Sequence, residues 1–482
     1  MPVRCGCGSE RIKNEALLSG IDIIFCETRE HAVDNESGSY TQDLPSNWQV
    51  DESEARPIEP IAHPRAEVAA QLSDPLASMP LADLCGPTTR AVIVCDEVPL
   101  HGTRLLLVRA VLADLERAGV DPDKVTVLVA ASDGSMTEVP TSLTLLPGPG
   151  FAGRVRINLH DPDDLRELDE LGNFEGVPMA VNYHAAEAGL LIAISVMQLD
   201  NDAVYAGSSG TVTSGLMSAA TRRELRTTRF LDDRAEPTTY ARPLFERVMR
   251  EGARRAGLVF AVDAIDDASG CMVAVRAGAP NAVNDALAQT IAEMRESRVA
   301  SSVYDVVIAD VGTGRQPQSG LFNASRAAIN IGLAQNPVLM RGGTLILPTS
   351  AADDNESEDA DITSFYDALT NAATPDLVIQ QLQGRSLSRG EERAYLLAHV
   401  MQRHRVIAAG AHRESLARAS HFISAPNVRD AAELAESFAG RRPRSLIARD
   451  ATRLIPTYSG PYWGNNDDRD LIDDELAELQ FN

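Results

Sequence analysis

The sequence has few cysteines, no long hydrophobic run and no leader-like start, and each shortage excludes a class of protein. Its 482 residues include 6 cysteines, which are too few for a disulfide-rich secreted scaffold. The longest apolar runs, such as 190–197, are far shorter than the roughly 20 residues of a membrane-spanning helix. Residues 1–8 lack the apolar segment of a signal peptide. Together these absences predict a cytoplasmic protein with reduced cysteines.

Positive charge is also scarce. The chain has 44 lysines and arginines against 69 aspartates and glutamates, which gives a formal net charge of −25 at pH 7. A field of this sign repels nucleic acids and anionic membrane surfaces, so we expect neither as a partner. Solubility is the simplest explanation of the acidity.

Several common catalytic and cofactor motifs are missing. Neither G-x-S-x-G nor H-E-x-x-H is present, which removes the main signatures of α/β hydrolases and zinc proteases. Gly312 and Gly314 begin a dinucleotide-like pattern, but Pro317 takes the place of its third glycine. Four residues near the N-terminus have spacings unlike those of a zinc knuckle: Cys5, Cys7, Cys26 and His31. We therefore expect no metal site.

Short apolar runs alternate with helical spacing, and this alternation predicts an α/β fold with mainly parallel sheets. In the first half, 91–95 and 125–129 are predicted strands on either side of a helix over 105–118. In the second half, the predicted elements are 305–309, 322–333, 343–347, 405–409, 428–438 and 445–448. We therefore expect two α/β domains that join near 296–304.

Composition divides the chain into four segments. Residues 1–90 are rich in proline and polar residues and predict a loop-rich N-terminal arm of the first domain with one short helix. Residues 91–300 and 301–447 are the two predicted α/β domains. Residues 448–482 form a C-terminal segment that is expected to return to the first domain and that ends in an acidic tail.

A segment rich in glycine and small hydroxyl residues, 206–215, follows the predicted strand at 190–197. Such a loop lets backbone N–H groups approach an anion, because glycine has no Cβ. No lysine lies in it or just after it, which excludes a nucleoside triphosphate loop. The predicted cofactor- or anion-binding residues are Gly207, Ser208, Ser209, Gly210, Thr211 and Thr213.

Polar residues that follow predicted strands are the next candidates, because ligands of open α/β sheets bind beyond the carboxyl ends of the strands. Asp96, His101 and Arg104 follow the strand at 91–95. An arginine is the usual ligand of a substrate carboxylate, although a cap for the next helix would also explain Asp96.

Three further residues follow strands in the same way. Asp133 follows the strand at 125–129 and is placed either to act as a general base or to form a turn. His160 and His184 lie at the ends of later strands. For each of these histidines a structural role is the favoured interpretation.

The order and spacing of these blocks over 91–456 resemble the nickel-pincer lactate racemase family of 2-hydroxyacid racemases and epimerases. The blocks that carry the resemblance are 91–104, 127–133, 158–161, 181–188, 206–210, 322–330, 341–346 and the strand at Val406. The resemblance implies two α/β domains that close over an interdomain cleft. It also implies a nickel-pincer nucleotide attached to a lysine, a histidine on the nickel, and two histidines that exchange the hydroxyl proton while a hydride passes to and from the cofactor.

Other side chains stand at the positions of the family's cofactor and catalytic residues. Thr213 takes the position of the cofactor lysine, and Arg229 falls near that of the nickel histidine. Ala203 and Asp133 take the positions of the two catalytic histidines. Because a threonine cannot form the covalent link, we do not expect a lysine-anchored nickel-pincer nucleotide.

Two functions follow from this comparison. The first is a racemase- or epimerase-like isomerase of a small 2-hydroxyacid or related carboxylate. In it, His101, Asp133 and His184 would transfer protons, and the substrate would be bound by Asp96, Arg104, Asn323, Arg326 and Asn330, the last at the position of the family's substrate-binding lysine. The second is a non-catalytic protein that binds a ligand or a partner on the same fold.

Overall fold

The computed structural model describes residues 40–54, 58–95, 102–130, 154–198, 206–232, 243–267, 269–301, 303–311, 320–334, 337–349, 359–411, 413–440 and 442–458. These residues form thirteen α-helices and sixteen β-strands, of which twelve strands build two six-stranded sheets. Parallel pairing dominates both sheets, which confirms the predicted α/β class. None of the described helices is long and apolar enough to cross a membrane.

The elements follow one another in a largely alternating order. The strands are β1 (Gln49–Glu54), β2 (Ala91–Cys95), β3 (Val125–Val129), β4 (Arg156–Leu159), β5 (Leu168–Phe174), β6 (Val177–Asn182), β7 (Leu190–Gln198), β8 (Leu258–Asp266), β9 (Met272–Gly278), β10 (Glu296–Arg298), β11 (Tyr304–Ala309), β12 (Leu339–Pro348), β13 (Arg405–Ala409), β14 (Ile423–Ala425), β15 (Arg444–Arg449) and β16 (Ile455–Thr457). The helices are α1 (Pro64–Ser73), α2 (Gly102–Arg117), α3 (Tyr183–Ala186), α4 (Gly207–Thr213), α5 (Ala219–Leu225), α6 (Pro243–Arg255), α7 (Pro280–Arg295), α8 (Leu321–Gly332), α9 (Ala360–Thr370), α10 (Pro375–Leu382), α11 (Arg389–Arg403), α12 (Glu414–Ala419) and α13 (Val428–Ala439).

The first sheet has the strand order β4-β3-β2-β7-β8-β9, in which only β9 runs antiparallel. All residues of β2 and β3 are buried, as is typical of parallel strands covered on both faces. Leu107 and Val111 of α2 pack on one face, and Val212 of α4 packs on the other. Since α2 follows β2 and α4 follows β7, the chain leaves these neighbouring strands toward opposite faces. We call the carboxyl edge of the sheet between β2 and β7 the first switch edge.

The second sheet has the order β1-β15-β11-β12-β13-β14, and all of its pairs are parallel. Ala324 and Ala328 of α8 belong to the core on one face. Ala431 and Ala435 of α13 belong to the core on the other face. Because α8 follows β11 and α13 precedes β15, the winding reverses between these two strands. Their carboxyl edge is the second switch edge.

Strand β1 corrects the prediction for residues 1–90. The sequence predicted an irregular arm of the first domain, but Gln49–Glu54 form an edge strand of the second sheet. Val50 is the one apolar residue of β1, so no alternating pattern marked the strand. Leu44 and Trp48, just before it, are buried in the core of the second domain and hold the segment there. The single short helix predicted in this region corresponds to α1.

A small parallel pair, β10 with β16, lies where the two domains join. Ser53 donates a hydrogen bond to Ser297 over 2.8 Å between their hydroxyl oxygens. Nε of Arg295 donates to the carbonyl oxygen of Arg453 over 3.2 Å. These contacts lie at one end of the predicted junction, 296–304.

Candidate functional site

The first switch edge is the candidate site, because ligands of open α/β sheets bind where the winding reverses. At the start of α2, the hydroxyl of Thr103 donates to Oδ1 of Asp266 over 2.8 Å, and both residues are buried. Next to it, Nη2 of Arg104 donates to the carbonyl oxygen of Val196 on β7 over 3.2 Å. Arg104, a predicted carboxylate ligand, therefore lies at this edge.

Three predicted residues lie outside the described residues: Asp96, His101 and Asp133. Ala203, at the position of a family histidine, also lies outside them.

The segment 206–215 contains helix α4 and is not the loop that the sequence predicted. All of Gly207–Thr213 is buried, and Gly207 has a φ of +50°, which glycine tolerates and most residues do not. A Cβ added to Gly215 would lie 2.7 Å from the Cβ of Ala130, at the end of β3. The glycines of this motif therefore let α4 pack closely on the sheet.

The N-terminal end of α4 is occupied by a carboxylate of the protein itself. Asp263, which is fully buried on β8, accepts a hydrogen bond from the backbone N–H of Ser208 over 3.0 Å. The Ser208 hydroxyl donates to the other oxygen of the same carboxylate. An acidic group in this place stabilises the start of a helix. Both hydrogen-bond donors of Ser208, one of the residues predicted to hold an external anion, are thus used inside the fold.

Thr213 tests whether the family's cofactor fits this chain. Its side chain is fully buried, and its hydroxyl donates to the carbonyl oxygen of Met249 on α6 over 2.7 Å. A Cβ added to Gly252 would lie 2.6 Å from Cγ2 of Thr213, so α6 packs tightly against this residue. A covalent anchor at position 213 has neither the amine nor the space that it needs. The lysine-anchored nickel-pincer nucleotide does not fit.

The chain contains two lysines, Lys13 and Lys124. Lys124 immediately precedes β3 and so lies at the amino edge of the first sheet, at the far end from the first switch edge. Lys13 lies outside the described residues. No lysine of the described chain is therefore placed to replace Thr213.

Arg229 falls near the position of the nickel histidine and is held by other contacts. Its Nη2 donates to the carbonyl oxygen of Glu175, and its Nη1 lies 3.4 Å from Oε1 of Glu224. Its guanidinium also lies over the ring of Phe230, 4.7 Å from the centroid. A guanidinium has no lone pair to give to a metal, so Arg229 cannot replace the histidine.

His160 and His184 are both bonded to asparagines. In His160, Nδ1 lies 3.3 Å from Nδ2 of Asn182, and Nε2 lies 3.2 Å from the carbonyl oxygen of Met217. In His184, Nε2 lies 2.8 Å from Nδ2 of Asn158. Burial lowers the pKa of both imidazoles, so each is neutral near pH 7.

These contacts separate the two histidines from the candidate site. Both ring nitrogens of His160 are used, which is the structural role that the sequence favoured. His184 contacts Asn158 on β4, the outermost strand, and β3 separates β4 from β2. The structure therefore does not bring His184 to the first switch edge.

Three predicted substrate ligands lie on α8, which follows β11 at the second switch edge. Asn323 and Arg326 are half-buried. Asn330 is buried, and its Nδ2 donates to the carbonyl oxygens of Ala451 and Thr452 over 3.1 and 2.8 Å. Asn330 thereby fixes the turn after β15, while Arg326 lies one helical turn closer to the switch edge.

Sequence reasoning missed Asp263 and Asp266, the two buried carboxylates at the end of β8. The available signal was an acid placed inside an apolar run, at 258–266, where a buried carboxylate needs a hydrogen-bond donor.

In the described parts of the chain, no group of three or more histidine, cysteine, aspartate or glutamate side chains could hold a metal ion.

Comparison with known proteins identifies the fold. Residues 36–236 match the family model of the lactate racemase N-terminal domain. The structure is similar to that of the lactate racemase apoprotein from Thermoanaerobacterium thermosaccharolyticum, with a TM-score of 0.67, 17% identity, and coverage of 86% of this chain and 96% of that one. A structural-genomics protein from Thermotoga maritima matches with a TM-score of 0.53, 11% identity, and coverage of 84% and 100%. No curated protein matches the sequence significantly.

The family match covers the first sheet up to β7 together with α4, and the structural match extends over both domains. The overall fold is thus a known architecture. Residues 36–236 are similar to the lactate racemase N-terminal domain, and the chain as a whole has a lactate-racemase-like fold.

Proposed function

We propose that this chain binds a small 2-hydroxyacid or a related carboxylate, and that it does so without a lysine-anchored nickel-pincer nucleotide. The observation that carries the second half of the proposal is Thr213, whose buried hydroxyl is bonded to the carbonyl oxygen of Met249. The first half is supported by the lactate-racemase-like fold and by arginines near both switch edges, Arg104 on α2 and Arg326 on α8. An arginine fork suits a carboxylate better than any other side chain does.

The reaction that suits this fold is isomerisation at the hydroxyl-bearing carbon by proton transfer. A base takes the proton from that carbon, the electron pair is delocalised into the arginine-bound carboxylate, and an acid returns a proton to the opposite face. No oxidant or reductant is needed, because the carbon loses and regains a proton only. Asp133 and His101 are the candidates for the two proton-transfer groups; His184 is a weaker one, since it lies against β4.

A second candidate is a binding protein without catalysis, and one set of observations favours it. The side chains at the positions that the resemblance assigns to the cofactor and the substrate are hydrogen-bonded to backbone carbonyl oxygens of this protein. Thr213 donates to Met249, Arg229 to Glu175, and Asn330 to Ala451 and Thr452. Side chains used in this way stabilise the protein without acting on a ligand.

One experiment separates these functions. The full chain is mixed with each enantiomer of lactate and of larger 2-hydroxyacids in D2O, binding is measured by calorimetry, and proton NMR follows the signal of the carbon-bound proton. Racemisation with deuterium incorporation supports the isomerase. Binding without exchange supports the second candidate.

The matched variants are Arg104→Ala and Arg117→Ala, both on α2. Arg104 lies at the first switch edge, whereas Arg117 is exposed at the other end of the helix and pairs with Asp114. We expect Arg104→Ala to weaken binding at least tenfold and Arg117→Ala to leave it unchanged. Absence of binding for every 2-hydroxyacid and related carboxylate would contradict the proposal.

A further inference from the structure

A short segment of the first domain, residues 226–232, forms hydrogen bonds and hydrophobic contacts with the second domain. It follows α5 and contains Phe230 and Leu231, whose side chains enter different cores. Phe230 is buried in the first domain, with its ring edge-on to that of Phe245 at a centroid distance of 6.1 Å. Leu231 is 5% exposed and belongs to the hydrophobic core of the second domain. Two neighbouring residues therefore anchor this segment in two domains at once.

The backbone of the same segment is hydrogen-bonded across the domains. The N–H of Leu387 donates to the carbonyl oxygen of Arg226 over 3.1 Å. The N–H of Gly384 donates to the hydroxyl of Thr228 over 2.9 Å. Thr227 also forms an antiparallel bridge with Ser386. These contacts join the first domain to the connection between α10 and α11.

A buried side-chain contact completes the arrangement. The hydroxyl of Tyr395, on α11, donates to Oδ1 of Asp232 over 2.7 Å. Tyr395 is 1% exposed, and burial beside this carboxylate raises the pKa of its phenol, so the hydroxyl keeps its proton.

The domains are joined independently by other elements. There, β10 pairs with β16, and the chain crosses between the domains within 54–58 and again within 298–304. That junction uses β1, β10 and β16, whereas segment 226–232 contacts α11 and the turn before it. The two domains are thus linked both by the chain connections at this junction and by the separate non-covalent contact of residues 226–232.

We infer that residues 226–232 form an interdomain clasp, which holds the two domains in one relative orientation and must release before they can separate. Helix α11 contacts both the clasp and α8, the helix that carries the predicted substrate-binding residues. On α11, Arg393 donates from Nη1 to the carbonyl oxygen of Phe322 over 3.1 Å, and its guanidinium lies 4.4 Å from the centroid of that ring. Release of the clasp would therefore loosen the support of α8.

Hydrogen exchange of the full chain tests the clasp, because two of the amides that it binds, Leu387 and Gly384, report directly on its opening. The test variant is Tyr395→Phe. The matched control is Tyr304→Phe, since Tyr304 also donates its hydroxyl to an aspartate, Asp51, over 2.7 Å, but within the second domain. We expect exchange at Leu387 and Gly384 to speed up about fivefold in Tyr395→Phe, as the loss of one hydrogen bond implies, and to stay unchanged in the control.

The double variant Leu231→Ala/Tyr395→Phe removes both anchors, and we expect its radius of gyration, measured by X-ray scattering, to exceed that of the wild type. If this variant does not fold, Thr227→Cys/Ser386→Cys provides the converse test, since directly opposed residues of an antiparallel bridge lie within disulfide range. Oxidation of this variant should slow exchange at Gly384 at least tenfold.

Equal exchange in Tyr395→Phe and Tyr304→Phe, unchanged scattering, or a disulfide that forms without slowing exchange would each overturn the inference.

Discussion

At the scale of single residues, two positions that the family resemblance links to the cofactor and the substrate make structural contacts in this chain. Thr213 and Asn330 stand where the resemblance implied two lysines, and both are buried and bonded to backbone carbonyl oxygens. The residue types could be seen in the sequence. Their partners, Met249, Ala451 and Thr452, lie 36 to 122 positions away and could not, because only the folded chain brings them together.

The bond between Ser208 and Asp263 predicts a difference between two serines of one segment. Ser208→Ala removes a hydroxyl donor from a fully buried carboxylate, which costs about 1.5–3 kcal/mol of unfolding free energy. Ser214→Ala removes an exposed hydroxyl bonded to Gly210 and should change that free energy by less than about 0.5 kcal/mol. Urea denaturation followed by circular dichroism measures both, and equal effects would contradict this role of Asp263.

His404 predicts a loss of stability in acid. Burial, with the nearby Arg403 charge, lowers the pKa of this imidazole from 6.5 to about 4. The unfolded state therefore binds a proton first as the pH falls, so the unfolding free energy decreases between about pH 6.5 and pH 4, by about 3 kcal/mol from this group. His404→Gln should flatten that part of the pH profile. His63→Gln, the same substitution at an exposed position, supplies the matched control.

At the scale of elements, the central strands of both sheets could be predicted from apolar spacing, whereas most helices were not predicted. The strand at 405–409 and the helix at 428–438 have the predicted bounds to within one residue, since both are short apolar or amphipathic segments with clear ends. The segment 206–215 was predicted wrongly as a loop. Its glycines indicated local flexibility, but Gly215 lies directly against Ala130 at the end of β3, and such close packing is a property of the tertiary structure.

Packing of α6 on α4 predicts the effect of an added methyl group. The Cβ in Gly252→Ala would lie 2.6 Å from Cγ2 of Thr213, so a helix must shift, at a cost of about 1–3 kcal/mol of unfolding free energy. Gly86→Ala is the control, because nothing lies within 4 Å of the added Cβ there. A thermal shift assay compares the two variants. A Gly252→Ala protein as stable as the wild type would contradict the tight packing of α6 against Thr213.

At the scale of the whole molecule, the sequence predicted two α/β domains and a junction near 296–304, but not the pairing of β1 with the second sheet or the contacts of the clasp. Strand β1 was not predicted because five of its six residues are polar, and the clasp was not predicted because its partner residues at 384–395 are remote in sequence. The rule that ligands bind beyond strand ends placed Arg104 correctly at the first switch edge. The same rule misplaced His184, because it follows β6, and β6 pairs with β5 in a separate hairpin outside the first sheet.

The central claim is that this chain carries no lysine-anchored nickel-pincer nucleotide, since Thr213 is buried and hydrogen-bonded where the family resemblance implies a lysine. Intact mass spectrometry combined with nickel analysis tests it most directly, on protein purified from a nickel-supplied host that makes the pincer nucleotide. We expect the mass calculated from the sequence and no stoichiometric nickel. Stoichiometric nickel together with an added nucleotide mass that survives denaturation would contradict the account.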